Sequence, residues 1–352
     1  MKVTAKMVAE RLGLSEAAVS MALNNKRGVS TATRRRVLKE AEKMGYDFSG
    51  RGVFGNEKKG NFGFVVYKKS GAVVGDTPFF AELTDGISSA CRRMHYDLVI
   101  RYLYEDDDLE EGIDSLSEGE LQGIILLATE MDEGSFRRFS RIRIPILVLD
   151  SYFETGDYNC VIINNVQGAY QAASYLIRTR KAQPGYLKSA YPIGNFEERA
   201  DGFYKAVRAN GMPASRSQVF KLTPSREGAY ADMKSLLESG EIPAESYFAD
   251  NDHIALGAVR ALREAGYRIP EDVSVVGFDD LPLCEYIVPP LTSVHVPRYI
   301  MGETAVRRLA EIVEKKDAWP IKIEIGTRLV KRKSVSAKRQ QGEKKEKFFE
   351  TL

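Results

Sequence analysis

A chain of 352 residues is longer than one ordinary domain, and at about 150 residues per domain it predicts two or three folded units. Its 43% hydrophobic and 28% charged content suits a globular protein, and with no run of about 18 apolar residues a membrane span is excluded. Glu10 and Arg11 stand where a secretory signal has its apolar core, so a cytoplasmic location is expected. Cys91, Cys160 and Cys284 are far apart and form no CxxC pair, which predicts buried free thiols rather than a disulfide or metal site. The net charge of +2 hides an imbalance. Residues 1–60 hold 13 Lys and Arg against 6 Asp and Glu, while the remainder holds 38 against 43. A basic head on a mildly acidic body fits a polyanion-binding module joined to a sensor.

In chain order, residues 4–46 predict three short helices. Thr4 caps the first, Lys6 to Leu12, which Gly13 ends; Ser15 caps the second, Glu16 to about Leu23; Ser30 caps the third, Thr31 to Met44, which Gly45 ends. Val8, Leu12, Val19, Leu23, Val37, Leu38, Ala41 and Met44 fall at helical spacing and can share one small core. Residues 47–61 follow, glycine-rich with Lys58 and Lys59, as a flexible hinge or linker. Strand-like runs then alternate with helical ones. The strands are expected at 62–67, 98–102, 123–127, 144–150, 160–163, 218–222, 246–249 and 273–278. The helices are expected at 79–93, 166–177, 196–210, 230–238 and 254–265. Short apolar strands between amphipathic helices predict α/β lobes, each a parallel sheet covered on both faces, with ligands beyond the carboxyl ends of the strands. Residues 331–352 are charged and aperiodic and are expected to be a largely disordered tail without a coiled-coil heptad.

Motifs of catalysis are missing: the chain has no GxxxxGK[ST], GxSxG or HExxH, and His95, His253 and His295 show no metal-ligand spacing. No catalytic residue, metal or cofactor is therefore assigned, and an enzyme is disfavoured. A solute-binding protein would fit the body alone but not the helical head. A DNA-binding regulator with a vestigial, unliganded sensor stays open as an alternative.

The head run Val8-Ala9-Glu10-Arg11-Leu12-Gly13-Leu14-Ser15-Glu16-Ala17-Ala18-Val19-Ser20-Met21-Ala22-Leu23-Asn24, followed by Gly28-Val29-Ser30-Thr31-Ala32-Thr33-Arg34, resembles the helix-turn-helix of the lactose-repressor (LacI/GalR) family. Further matches occur in the family's order at Pro78–Ile87, Arg199–Phe203, Asn251–Ala258, Val275–Asp280 and Pro289–Val294. The resemblance implies a sequence-specific transcriptional regulator, expected to repress. It implies a homodimer on a double-stranded DNA operator, controlled by a small, sugar-like effector bound between two lobes of a periplasmic-binding-protein-like sensor. Those lobes are expected at about 62–160 plus 293–318 and about 161–290 plus 319–330. Glu16, Ala17 and Met21 would face base edges, Ser15, Ser20 and Asn24 would reach phosphates or bases, and Thr4, Lys6 and Arg27 would hold the backbone.

Two departures from the family matter. Met21 stands where arginine is common, so bidentate readout of guanine, about 1–3 kcal/mol per pair, is lost, and Met21 either meets thymine methyls or packs on the first helix. In the hinge, glycines that cost about 1 kcal/mol each in a helix replace the usual short helix with its leucine wedge; either Val53 or Phe54 substitutes or the connector stays unstructured on DNA. By the same resemblance Phe80, Asp150, Arg199, Asn251 and Asp279 would line the effector cleft, their carboxylates and guanidinium matched to hydroxyl groups. Each has an ordinary alternative: a turn for Asp150 and Asp279, a pair with Glu197 or Glu198 for Arg199, a helix cap for Asn251. Lys68, Lys69, Tyr102 and Tyr104 are expected to face the same cleft.

Overall fold

The computed structural model describes residues 3–24, 26, 28–46, 58–75, 78–107, 109–315 and 319–337. Two compact units result, residues 1–59 and 60–352. In the first, α1 (Ala5–Leu12), α2 (Glu16–Leu23) and α3 (Thr31–Lys43) form where the caps predict. Thr4 Oγ1 accepts from the Met7 N–H, Ser15 Oγ from Ala18 and Ser30 Oγ from Thr33, each satisfying one of the free donors of a first turn. Gly13 closes α1 at φ +65°, a left-handed position that a side chain would strain. Val8, Ala9, Val19, Ala22, Leu23, Val37 and Ala41 are buried together, while Leu12, Leu38 and Met44 are only partly covered. The hinge expectations at Val53 and Phe54, and Arg27 of the head, lie outside the described residues.

The second unit runs β1 (Gly60–Lys68), α4 (Pro78–Met94), β2 (Tyr96–Tyr104), α5 (Leu109–Glu118), β3 (Leu121–Leu127), α6 (Glu133–Arg137), β4 (Ile146–Leu149) and β5 (Asn159–Ile163). It continues with α7 (Asn165–Arg180), β6 (Gly185–Ser189), α8 (Gly194–Ala209), β7 (Val219–Leu222), α9 (Arg226–Glu238), β8 (Ser246–Ala249) and α10 (Asp252–Glu264). Last come β9 (Ser274–Asp279), α11 (Leu283–Tyr286), β10 (Thr292–His295), α12 (Arg298–Lys315), β11 (Lys322–Ile325) and β12 (Arg328–Val330). One sheet has the order β11-β5-β4-β3-β1-β2 and is parallel throughout; the other has the order β12-β10-β9-β8-β6-β7 and is parallel except for its antiparallel edge strand β12.

Alternation explains how the first sheet is covered. Phe62, Phe64 and Val66 of β1 point to one core, with Leu83 and Ile87 of α4; Val65 and Tyr67 point to the other, with Ile113 of α5 and Phe139. Helices α4 and α12 cross closely because Gly86 and Gly302 lack side chains. A Cβ on Gly86 would sit 2.3 Å from the Tyr299 carbonyl oxygen, and one on Gly302 2.4 Å from that of Leu83. The three cysteines are buried free thiols.

The chain passes between the two lobes three times: from β5 to α7 through residue 164, from β10 to α12 through 296–297, and from β11 to β12 through 326–327. These passages correct the expected lobe limits. Residues 293–295 belong to the second lobe, and 161–163 and 322–325 to the first, because sheet pairing rather than local pattern assigns an edge strand. The linker is also shorter than expected, since β1 starts at Gly60. Likewise the tail does not begin at residue 331. Ser334 is buried, its hydroxyl accepting from the Thr292 N–H (2.8 Å) and donating to the Val275 carbonyl (2.6 Å), so 331–337 is packed on the second lobe.

Candidate functional site

The described part of the head leaves one helix face free. On α2, Glu16 and Ala17 are exposed and Ser20 and Met21 half-exposed, opposite the buried Val19, Ala22 and Leu23. Asn24 folds back, its Nδ2 donating to the Ser20 carbonyl (2.7 Å) and hydroxyl (3.2 Å). Met21 is half-buried, and its sulfur lies over Gly28, 3.2 Å from where a Cβ would be. Lys6 is exposed, and Thr4 and Ser15 are exposed caps. Small or polar side chains on a capped, two-turn helix leave its axis free to enter a major groove.

In the second unit a cavity of about 240 Å³ lies between the lobes at the carboxyl ends of their strands, and Phe80, Asp150, Arg199, Asn251 and Asp279 all line it. Asp150 follows β4 at φ +61° and is buried. One of its oxygens accepts from the Thr129 hydroxyl (2.7 Å), its backbone carbonyl accepts from Asn195 Nδ2 (3.1 Å), and its other carboxylate oxygen, Oδ1, is buried with no hydrogen-bond partner among the described residues. Burial outweighs the Thr129 hydrogen bond and the Arg199 charge and pushes this carboxyl up to about 6.

Arg199, one turn into α8, is buried and not paired with Glu197 or Glu198. Its Nε donates to Asn165 Oδ1 (2.9 Å), one terminal nitrogen to the Asp250 carbonyl (2.5 Å), and the other stands 3.4 Å from Asp279 Oδ1, while its plane lies 3.8 Å over the Phe278 ring. Asp279 ends β9 at φ +105°, and burial raises its carboxyl against the pull of Arg199 and Arg298. Asn251 does cap a helix: its Oδ1 accepts from the Ile254 N–H (2.9 Å), leaving the amide nitrogen of a cavity-lining residue. Phe80 meets Phe79 edge to face at 5.0 Å.

Two further aspartates back the site. Asp250 accepts from the Tyr186 hydroxyl and the Ser189 N–H, and Asp252 from the Leu281 N–H and the Ser293 hydroxyl; burial pushes each up to about 7. Glu130 is the opposite case. Its carboxylate receives the N–H groups of Lys69, Ser70, Gly71, Val73 and Val74 at 2.7–2.9 Å; those backbone bonds prevail over burial and hold it below the usual glutamate value. The loop after β1, which sends Ala72, Val73 and Gly75 to the cavity, is thereby fixed.

Sequence reasoning missed Thr129, Asn195, Phe196 and His253, all of which line the cavity. Thr129 was within reach of the rule that ligands sit beyond carboxyl strand ends, and Asn195 is one helical turn before Arg199 on the same face. It also misplaced two groups. Lys68 lies over the exposed Tyr102 and Tyr104 rings (5.4 and 5.8 Å) at the outer strand β2, and Lys69 pairs with Asp132 at 2.6 Å; neither lysine nor either tyrosine lines the cavity. Both tyrosines belong to the edge strand, so their end of the sheet faces outward.

A three-helix head with one capped helix face exposed and a two-lobed α/β unit with a polar cleft define a ligand-sensing regulator of the helix-turn-helix class. Residues 4–48 match the model of bacterial regulatory proteins of the lacI family, and residues 186–335 match that of a periplasmic binding protein-like domain. The chain is 31% identical over 338 residues to an HTH-type transcriptional repressor PurR of Mannheimia succiniciproducens, covering 94% of this chain and 98% of that one. Among solved structures it is similar to the transcriptional regulator CelR in its cellobiose complex, with 26% identity, a TM-score of 0.71, and coverage of 95% of this chain and 100% of that one. It is similar as well to a LacI family regulator of Enterococcus faecium with bound ribose, with 26% identity, a TM-score of 0.66, and coverage of 78% and 98%. The chain belongs to the lacI family of bacterial regulatory proteins. It is a DNA-binding transcriptional regulator with an effector-binding sensor, and its relatives are repressors, not enzymes. No helix among the described residues is long and apolar enough to cross a membrane.

Proposed function

We propose that this regulator is a cytoplasmic homodimeric repressor whose hold on a pseudo-palindromic operator is set by a neutral sugar or sugar derivative bound between the sensor lobes. The observation that carries the effector reading is the partnerless Asp150 Oδ1, buried in a cavity that also presents Arg199, Asn195, Asn251 and Asp279. A buried acceptor without a donor costs about 1–3 kcal/mol, which a ligand hydroxyl recovers. Two carboxylates around one guanidinium, which already spends donors on Asn165 and Asp250 and stands 3.4 Å from Asp279, favour an uncharged polyol over a sugar phosphate. Similar regulators whose complexes hold cellobiose and ribose support the same class.

On the head, Glu16, Ala17 and Met21 would meet base edges, Ser15, Ser20 and Asn24 would reach phosphates or bases, and Thr4, Lys6 and Arg27 would hold the backbone. Support for the dimer comes from exposed apolar groups at the β2 edge (Ile100, Tyr102, Tyr104) and around Tyr286 and Val288, which are 79% and 71% exposed. The effector acts only through a difference in affinity between lobe arrangements.

A thermal-shift screen of sugars and sugar phosphates, followed by mobility shifts on a duplex selected from a random pool, tests the reading. A neutral sugar at 100 times its Kd is expected to stabilise by about 2.7 kcal/mol and to change operator affinity, and Ala17→Asp is expected to abolish operator binding at fixed salt. A screen without a stabilising sugar, or an unchanged Kd for Ala17→Asp, would overturn the corresponding half.

A further inference from the structure

Thr129 and Glu130 follow β3 side by side and serve the cavity differently. Thr129 donates its hydroxyl to Asp150 (2.7 Å). Glu130 instead fills a ring of backbone donors on the loop after β1. Its Oε2 accepts from the N–H groups of Lys69, Ser70 and Gly71, each at 2.9 Å, and its Oε1 from those of Val73 (2.8 Å) and Val74 (2.7 Å). The one donor left in the run, the Ala72 N–H, goes to the Ser70 hydroxyl (3.1 Å). Successive N–H groups turned inward make a concavity that binds anions, and here the anion belongs to the chain. The Lys69 ammonium pairs with Asp132 (2.6 Å), so among the described residues backbone donors rather than a cation meet the charge of the buried Glu130.

Residues 69–74 lie in no helix or strand, so their shape depends on that carboxylate. Ala72, Val73 and Gly75 of the same loop line the inner cavity. Glutamine would fill the same space but carries one acceptor oxygen and an NH2 group, which would meet backbone donors with donors of its own. A loop that holds its shape only part of the time lowers the apparent affinity of the cavity by that fraction.

We propose that Glu130 is a positioning residue for effector binding: its carboxylate is a built-in anion whose charge keeps one wall of the cavity in place before the effector arrives. The part concerning sugar affinity rests on the sugar reading of the inner cavity. Glu130 also lines a hollow of about 450 Å³ with Lys69, Ser70 and Val73, which gives a small carboxylate from solution a way to the nest.

Hydrogen exchange of the full chain, read on peptides over residues 69–75 and 121–127, tests the clamp without any effector. In Glu130→Gln the loop amides are expected to exchange at least about tenfold faster, with those of β3 unchanged as the internal measure of an intact fold. Glu130→Ala removes an acetate-sized group, so sodium acetate is expected to restore its loop protection, and neutral acetamide is not. Calorimetry with cellobiose, ribose and glucose then reads the consequence. Any of these sugars that binds the wild type is expected to lose about tenfold in Kd in Glu130→Gln, as it would if the loop were formed a tenth of the time, and to regain affinity for Glu130→Ala in acetate. Wild-type loop exchange in Glu130→Gln, or rescue by acetamide as good as by acetate, overturns the charged clamp. A loosened loop with unchanged sugar Kd overturns its role in binding. Failure of all three sugars to bind the wild type counts against the sugar reading and the sugar half of the proposal, while the exchange data judge the clamp separately.

Discussion

Head and cleft treat their polar groups in opposite ways. On α2 the groups that would meet DNA stand in water, and the caps that shape the helix are settled within three residues, as in Ser15 to Ala18. In the cleft the charges are buried and their partners come from distant chain segments: Arg199 joins Asn165, Asp250 and Asp279. An exposed reader can change its side chains without disturbing the fold, so it is free to alter its target. A buried cleft has no such freedom, because each of its charges is also a structural part.

The contrast can be broken by measurement. Arg199→Ala should destabilise the chain by about 3–5 kcal/mol in denaturant unfolding, since it strands Asp279 and removes a buried charge from a shared network. A loss within 0.5 kcal/mol would make the cleft as independent of folding as the head. Asp150 should act through pH. Its folded carboxyl keeps a proton up to about 6, whereas the unfolded one loses it near 4. Unfolding in that window therefore releases a proton, and stability falls as pH rises from about 4 to 6. The part of this fall belonging to Asp150, about 3 kcal/mol, should vanish in Asp150→Asn; parallel pH profiles for the two proteins would refute it. The smallest effect belongs to the head. Ser15→Ala removes one cap bond and should cost about 1 kcal/mol in the stability of the head, with α2 still formed by circular dichroism.

The same contrast governs what could be read from the sequence. Thr4, Ser15 and Ser30 were identifiable as caps because a cap and its target lie within one turn, and all three make the expected bond. Strands β11 and β12 were not separable. Only residues 326–327 lie between them, yet they join different sheets, and the choice depends on pairing with β5 and with β10. Among cleft residues, the resemblance to a known family pointed to Asp150, Arg199 and Asp279, which the structure brings to one cavity. The Glu130 clamp had no signal at all: an ordinary glutamate between strand and helix gives no hint that five amides of a loop some 60 residues earlier converge on it.

The three passages between the lobes carry a mechanical implication. With one, two and two residues in the bridging segments, and with β5 and β11 side by side where two of them depart, the lobes are tied by short straps along one border. Pulling them straight apart would require peeling a strand from its sheet. Rocking about that border is the soft coordinate, so an effector spends its free energy on a single angle rather than on a diffuse loosening of the body.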